Sequence, residues 1–179
     1  NVFKISDSME LDYATRTNLE LTSTIRTKSK KGSLLGAIDR TKTAMGGRLL
    51  RKIIEEPLKD YDLVLYRQEA ITSFIKNQVD LSELREYLNA IYDFERILTR
   101  VTMKHANAKE IISFKNSIYV LPYIKNLLQV FGSKFTKDVY DRFDTLKNIF
   151  DLIDCSIDWA LISSWLMTSS LLLCLKRSR

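Results

Sequence analysis

Apolar side chains recurring every three or four residues run through most of this chain, and that spacing constrains its fold more than any other feature. Leu81, Leu84, Leu88, Ile91, Phe94, Leu98 and Val101 form one run, and Ile111, Phe114, Ile118 and Leu121 a second. A third carries Leu63, Tyr66, Ala70, Ile71, Phe74 and Ile75, and a fourth Val139, Phe143, Leu146, Phe150 and Ile153. Such steps place residues on one face of an α-helix. Only 5 Gly and 2 Pro punctuate 179 residues, so the links between helices are short. We expect an all-α fold, an irregular bundle or array of packed helices, with one possible strand at residues 3–9 (FKISDSM).

Local signals place the helix ends. Asp12 is suited to cap a helix through YATRTNLEL, anchored by Leu19 and Leu21, and Ser33 to cap LLGAID. Thr41 or Thr43 caps a helix to about Glu55, which Pro57 stops, because the residue before Pro disfavours the α region. Asp60 or Asp62 opens the next, to about Asn77; Asp80 and Asn107 open two more. Pro122 breaks or kinks the run that follows Asn107, and Gly132-Ser133 makes a turn. RTKSKKG, residues 26–32, reads as an exposed loop.

Charge is unevenly spread. The chain carries a net +6, but Arg26, Lys28, Lys30, Lys31, Arg40, Lys42, Arg48, Arg51 and Lys52 crowd into one window where Asp39 is the only acid. This is either a solvated face or a surface for a DNA backbone or another domain. Cys155 and Cys174 are too few and too far apart for a disulfide scaffold or a CxxC site, and with His105 the single histidine a zinc centre is disfavoured. No carboxylate pair or Ser/Cys–His combination suggests catalysis.

TKTAMGGRLLRKIIEEPL, Thr41 to Leu58, holds the parts of a phosphate cradle in the wrong order. A P-loop places its Lys after the glycines, at the start of a helix; here Lys42 precedes Gly46 and Gly47. The two glycines instead suit a tight joint in the first turns of a helix, where a neighbouring backbone passes close. Leu49, Leu50, Ile53 and Ile54 would supply its buried side, and Arg48, Arg51 and Lys52 a basic outer face.

Several linked stretches resemble the MutS family of DNA mismatch-repair proteins, in the core or lever domain, the third of that family's domains. MELDYATRTNLEL (9–21) meets one family pattern through Met9, Leu11, Asp12, Thr15, Asn18, Leu19, Glu20 and Leu21. GSLLGAIDRTKTAMGGRLLRKIIEEPL (32–58) meets another through Gly32, Ser33, Asp39, Thr41, Thr43, Met45, Gly46, Arg48, Pro57 and Leu58. Asp93, Glu95 and Arg96 match a D-x-E-R pattern, and residues 105–128 continue the likeness. The wording is similar to the bacterial branch.

The resemblance implies a partial core domain over 1–153. Family members are dimeric, DNA-clamping ATPases of the cytoplasm that bind ATP and Mg²⁺ in a separate domain, and the core domain relays motion between DNA and nucleotide. It implies no catalytic, metal or cofactor residue in this chain. Asp12, Asn18, Glu20, Gly46, Gly47, Arg48, Pro57, Asp93, Glu95 and Arg96 are its structural signature, with ion pairs expected among the charged ones.

Residues 154–179 depart from the family pattern. Trp159 to Leu175 is uncharged, with Lys176, Arg177 and Arg179 behind it. A frame-shifted or artificial end, a packed apolar helix and a membrane anchor all fit. The last defines an alternative function, a tail-anchored all-α interaction protein. As a helix the stretch would span about 25 Å, short of a ~30 Å hydrocarbon core, which disfavours the membrane.

Overall fold

The structure is a computed structural model that describes residues 8–156. It is helical: α1 (Tyr13–Asn18), α2 (Leu34–Ile38), α3 (Ala44–Glu55), α4 (Tyr61–Lys76), α5 (Gln78–Asn89), α6 (Phe94–Thr102), α7 (Ala108–Tyr119), α8 (Leu121–Phe131) and α9 (Lys134–Arg142), then helical residues 147–156. The strand expected at 3–9 falls mostly outside the described residues. What is described there is an isolated antiparallel bridge between Ser8 and Leu58, where the Met9 N–H donates to the Pro57 carbonyl at 2.7 Å.

Local capping chemistry sets most helix starts. Side chains of Asp12, Ser33, Thr43, Asp60, Asn107 and Ser133 each accept a first-turn N–H, satisfying donors that have no partner within the helix. Asn107 and Glu110 form a reciprocal capping box. Asp80 does not cap α5: the helix begins earlier, at Gln78, and leaves Asp80 in its first turn, where a carboxylate suits the helix dipole.

Helix α1 is shorter than its sequence suggests. It ends at Asn18, Glu20 turns left-handed at φ 47°, and Leu19 is exposed rather than an anchor. The reason lies in α2. The Leu34 and Leu35 N–H groups donate to the Glu20 and Leu21 carbonyls, so these residues complete the start of α2 instead of continuing α1.

Two of the apolar runs break where the pattern is continuous. Leu81–Val101 divides into α5 and α6 across Ala90–Asp93, and Val139–Ile153 divides at Phe143–Leu146. Each break has a polar clasp from a neighbouring helix. The Ser117 hydroxyl of α7 accepts from the Tyr92 N–H at 2.9 Å and lies 3.2 Å from the Ala90 carbonyl. The Lys125 ammonium of α8 donates to the Phe143 carbonyl at 2.8 Å. Backbone groups freed by the breaks therefore find side-chain partners.

The breaks also join the core. One cluster centres on Ile97, Phe114, Ile118 and Leu121, the other on Leu84, Ile124 and Phe131; Ile91 and Phe143, one at each break, pack against both. A bend lets one side chain reach two clusters that a straight helix would hold apart. Breaking the helix also shifts its phase: Ile97 is buried while Leu98 and Val101 are exposed. On the unbroken α4, Ala70 is buried while Ile71 and Ile75 of the same run are exposed.

Both clusters lie between residues 74 and 153. The layer before α4 buries little: α1 and α3 have no buried residue, and Leu49 on α3 is exposed rather than part of a buried side. Polar ties hold this layer to the helical body.

Candidate functional site

The basic window folds into two loops that meet over α2. The Thr24 N–H donates to the Ser29 carbonyl and the Lys28 N–H to that of Thr24, closing a loop with Arg26 and Lys28 on it. Lys28 takes φ 52° and Gly32 φ 96° to return the chain. The Ser33 hydroxyl donates to the Lys30 carbonyl and accepts from the Gly36 N–H. A Cβ on Gly36 would stand 2.1 Å from the Lys30 carbonyl oxygen. The close backbone approach expected at Gly46 and Gly47 therefore occurs at Gly36. Around Gly46 and Gly47 the nearest atoms are the Thr43 and Thr41 side chains: Thr43 caps the first turn of α3, and the Thr41 hydroxyl donates to Asp39 beside it.

Asp39 fixes the second loop. Its carboxylate pairs with the Lys30 ammonium and accepts from the Thr41 N–H at 2.9 Å and hydroxyl at 2.7 Å. These bonds, the Lys30 bond foremost, hold its carboxyl well below the usual range. The one acid of the window is thus committed, and the ion pair places the 24–32 loop against the 39–42 loop.

All nine cations are exposed, but they divide by partner. Lys30 is paired with Asp39, and Arg51 with Glu55 one turn along α3 at 3.0 Å. Arg48 does not belong to a basic outer face: its guanidinium reaches Asp93 through Nη1 at 2.8 Å and Nη2 at 2.7 Å, and Glu95 through Nε at 3.0 Å and Nη2 at 2.6 Å. Arg26, Lys28, Lys31, Arg40, Lys42 and Lys52 form no ion pair with any described residue. Arg85 of α5, outside the window, donates to the Arg40 carbonyl at 3.1 Å and adds a cation that sequence proximity alone does not reveal.

The Arg48 fork fastens the N-terminal layer. Asp93 also caps α6, accepting from the Arg96 N–H. The guanidinium, more than that cap, pushes the Asp93 carboxyl below its ordinary value, and the two carboxylates hold Arg48 above its own. The remaining signature residues are structural too. Asp12 caps α1, which Asn18 ends. Glu20 accepts the Ile25 N–H at 2.7 Å, and Pro57 holds Met9. The Arg96 side chain lines a cleft of about 290 Å³ with Asn107 and Glu110. His105 lies three residues beyond the end of α6, its N–H donating to the Arg100 carbonyl. Among the described residues no group of His, Cys, Asp and Glu converges as a metal site, and no helix is long and apolar enough to cross a membrane. The apolar stretch behind the tail-anchored alternative lies outside the described residues.

Comparison with known proteins agrees with this architecture. The family model for MutS domain III matches residues 14–165. The chain is 46% identical over 157 residues to the DNA mismatch repair protein MutS of Acetivibrio thermocellus, an alignment covering 88% of this chain and 18% of that protein. It is 45% identical over 155 residues to the same-named protein of Halothermothrix orenii, and 43% over 155 residues to that of Clostridium novyi, each time across 87% of this chain and 17% of the relative. The chain thus spans less than a fifth of the length of these curated relatives.

Proposed function

The chain belongs to the MutS domain III family, and on that premise we propose that it is a segment of a DNA mismatch-repair protein, joining that protein's DNA-binding parts to its ATP-hydrolysing part and passing motion between them. The match across 14–165 carries this reading. The Arg48 fork supports the relay: a thin N-terminal layer held by a charged joint can shift as a unit, because few packed side chains must be undone. On this reading the segment supplies no catalytic group. ATP, Mg²⁺, the mismatch itself and a second copy engage other parts of a cytoplasmic parent, and the segment's direct partners include neighbouring domains of the same protein.

A chimera tests the proposal. Residues 14–165 would replace the matching segment of the Acetivibrio thermocellus protein, and spontaneous mutation would be scored in cells lacking their own copy. The chimera is expected to lower the mutation rate. A well-expressed, soluble chimera that leaves the rate at the deficient level overturns the assignment. Within an active chimera, Arg48→Gln is expected to leave mismatch binding intact and to weaken its response to ATP. An unchanged response overturns the relay.

A further inference from the structure

We propose that Arg26, Lys28, Lys31, Arg40 and Lys42 form a surface that contacts the phosphate backbone of duplex DNA without reading its sequence. The proposal rests on the reading above that the parent handles DNA, and it adds a place on this segment where duplex DNA would lie. Three observations carry it. First, the loops that carry these cations are joined. The Lys30–Asp39 pair fastens the 24–32 loop to the 39–42 loop, and the Lys30 backbone lies directly on Gly36 of α2, so segments up to sixteen positions apart are brought together.

Second, the charge is uncompensated. Asp39 is committed to Lys30 and Thr41. Arg85 of α5 reaches back to the Arg40 carbonyl and adds a further cation beside it. Third, the surface is set apart from the other basic residues. Arg48 and Arg51 are held by carboxylates, and Lys52 lies further along α3, about 12 Å from its start at 1.5 Å per residue. An exposed group of like charges repels itself unless a polyanion neutralises it. Duplex DNA presents one charge per about 1.7 Å of axis, which several closely placed cations can engage together. The closed loops hold the backbone beneath these cations fixed, so less order is lost on binding.

The test uses the full 179-residue chain and a short fully paired duplex, with binding followed by fluorescence anisotropy from ~50 to ~200 mM salt. Lys28→Gln/Lys31→Gln/Lys42→Gln is expected to weaken binding roughly ten-fold or more and to flatten the slope of log affinity against log salt by about 2.7, given about 0.9 per phosphate contact. Arg51→Gln, which removes an already paired cation, is expected to change neither. Circular dichroism checks that both variants remain helical. No binding by the parent chain, or equal slopes for parent and triple variant, overturns the proposal. Binding to poly-glutamate as tight as to DNA also overturns it and assigns the surface to an acidic protein domain. Failure here is separable from failure of the mismatch-repair reading, because the chimera reports mutation rate whether or not this surface touches DNA.

Discussion

Arg48 and Asp93 stand 45 residues apart in sequence and meet through two parallel hydrogen bonds. The geometry is the bidentate fork that guanidinium and carboxylate form best. One partner lies on a helix with no buried residue, and the other caps a helix of the packed body.

Removing this fork should loosen the N-terminal layer. Arg48→Ala and Asp93→Ala are each expected to lower the urea midpoint, and the double variant to lose less than the sum of the two. Arg51→Ala, which breaks only an exposed pair within α3, should have a much smaller effect. Additive losses for Arg48 and Asp93 in the cycle would show that the fork contributes no coupling.

Acid should act through the same pair. The folded-state value of Asp93 lies below its ordinary 3.8, so the unfolded chain takes up the proton first as pH falls. Its contribution to stability is complete above the unfolded value, near pH 4, and is lost as pH drops through the depressed folded value. Chemical denaturation measured from neutral pH to below pH 4 is expected to give a shallower acid decline for Arg48→Ala than for the parent chain. Superimposable declines would remove Arg48 as the cause of the shift.

Gly36→Ala is expected to destabilise by on the order of 3 kcal/mol, because the new methyl meets a backbone carbonyl oxygen that cannot rotate aside. The effect should far exceed that of Gly47→Ala, where the nearest atom is a hydroxyl at 3.3 Å on a side chain that can turn away. Thermal melts of the two variants decide it, and equal melting temperatures would contradict the close approach.

Ser117→Ala should cost about 1–3 kcal/mol, since it removes a fully buried hydroxyl that accepts from the Tyr92 N–H. Hydrogen exchange at Tyr92 is the direct measurement. Protection there should collapse, and unchanged protection would mean that another acceptor serves the amide.

Caps were readable in advance because they are local. Asn107 and Glu110 sit three residues apart and complete each other. The breaks at Ala90–Asp93 and Phe143–Leu146 were not readable, because apolar residues continue in helical phase through both, and what favours each bend is a Ser or Lys on another helix. The basic window was legible as composition. Which of its members remain free was not, since Arg48 leaves it for acids about 45 positions away and Arg85 joins it from α5. Of the glycines, only the structure distinguishes Gly36, whose neighbour belongs to the preceding loop, from Gly46 and Gly47.

The confinement of both apolar clusters to residues 74–153 has a consequence in time. Hydrophobic contacts drive the early collapse of a chain, and contacts between neighbouring elements close faster than distant ones. The helices from α4 onward therefore condense first, and the N-terminal layer arrives afterwards, guided by charge across a long loop. The late step should slow as salt rises while the early step does not, so that stopped-flow refolding at two ionic strengths would separate them into two phases.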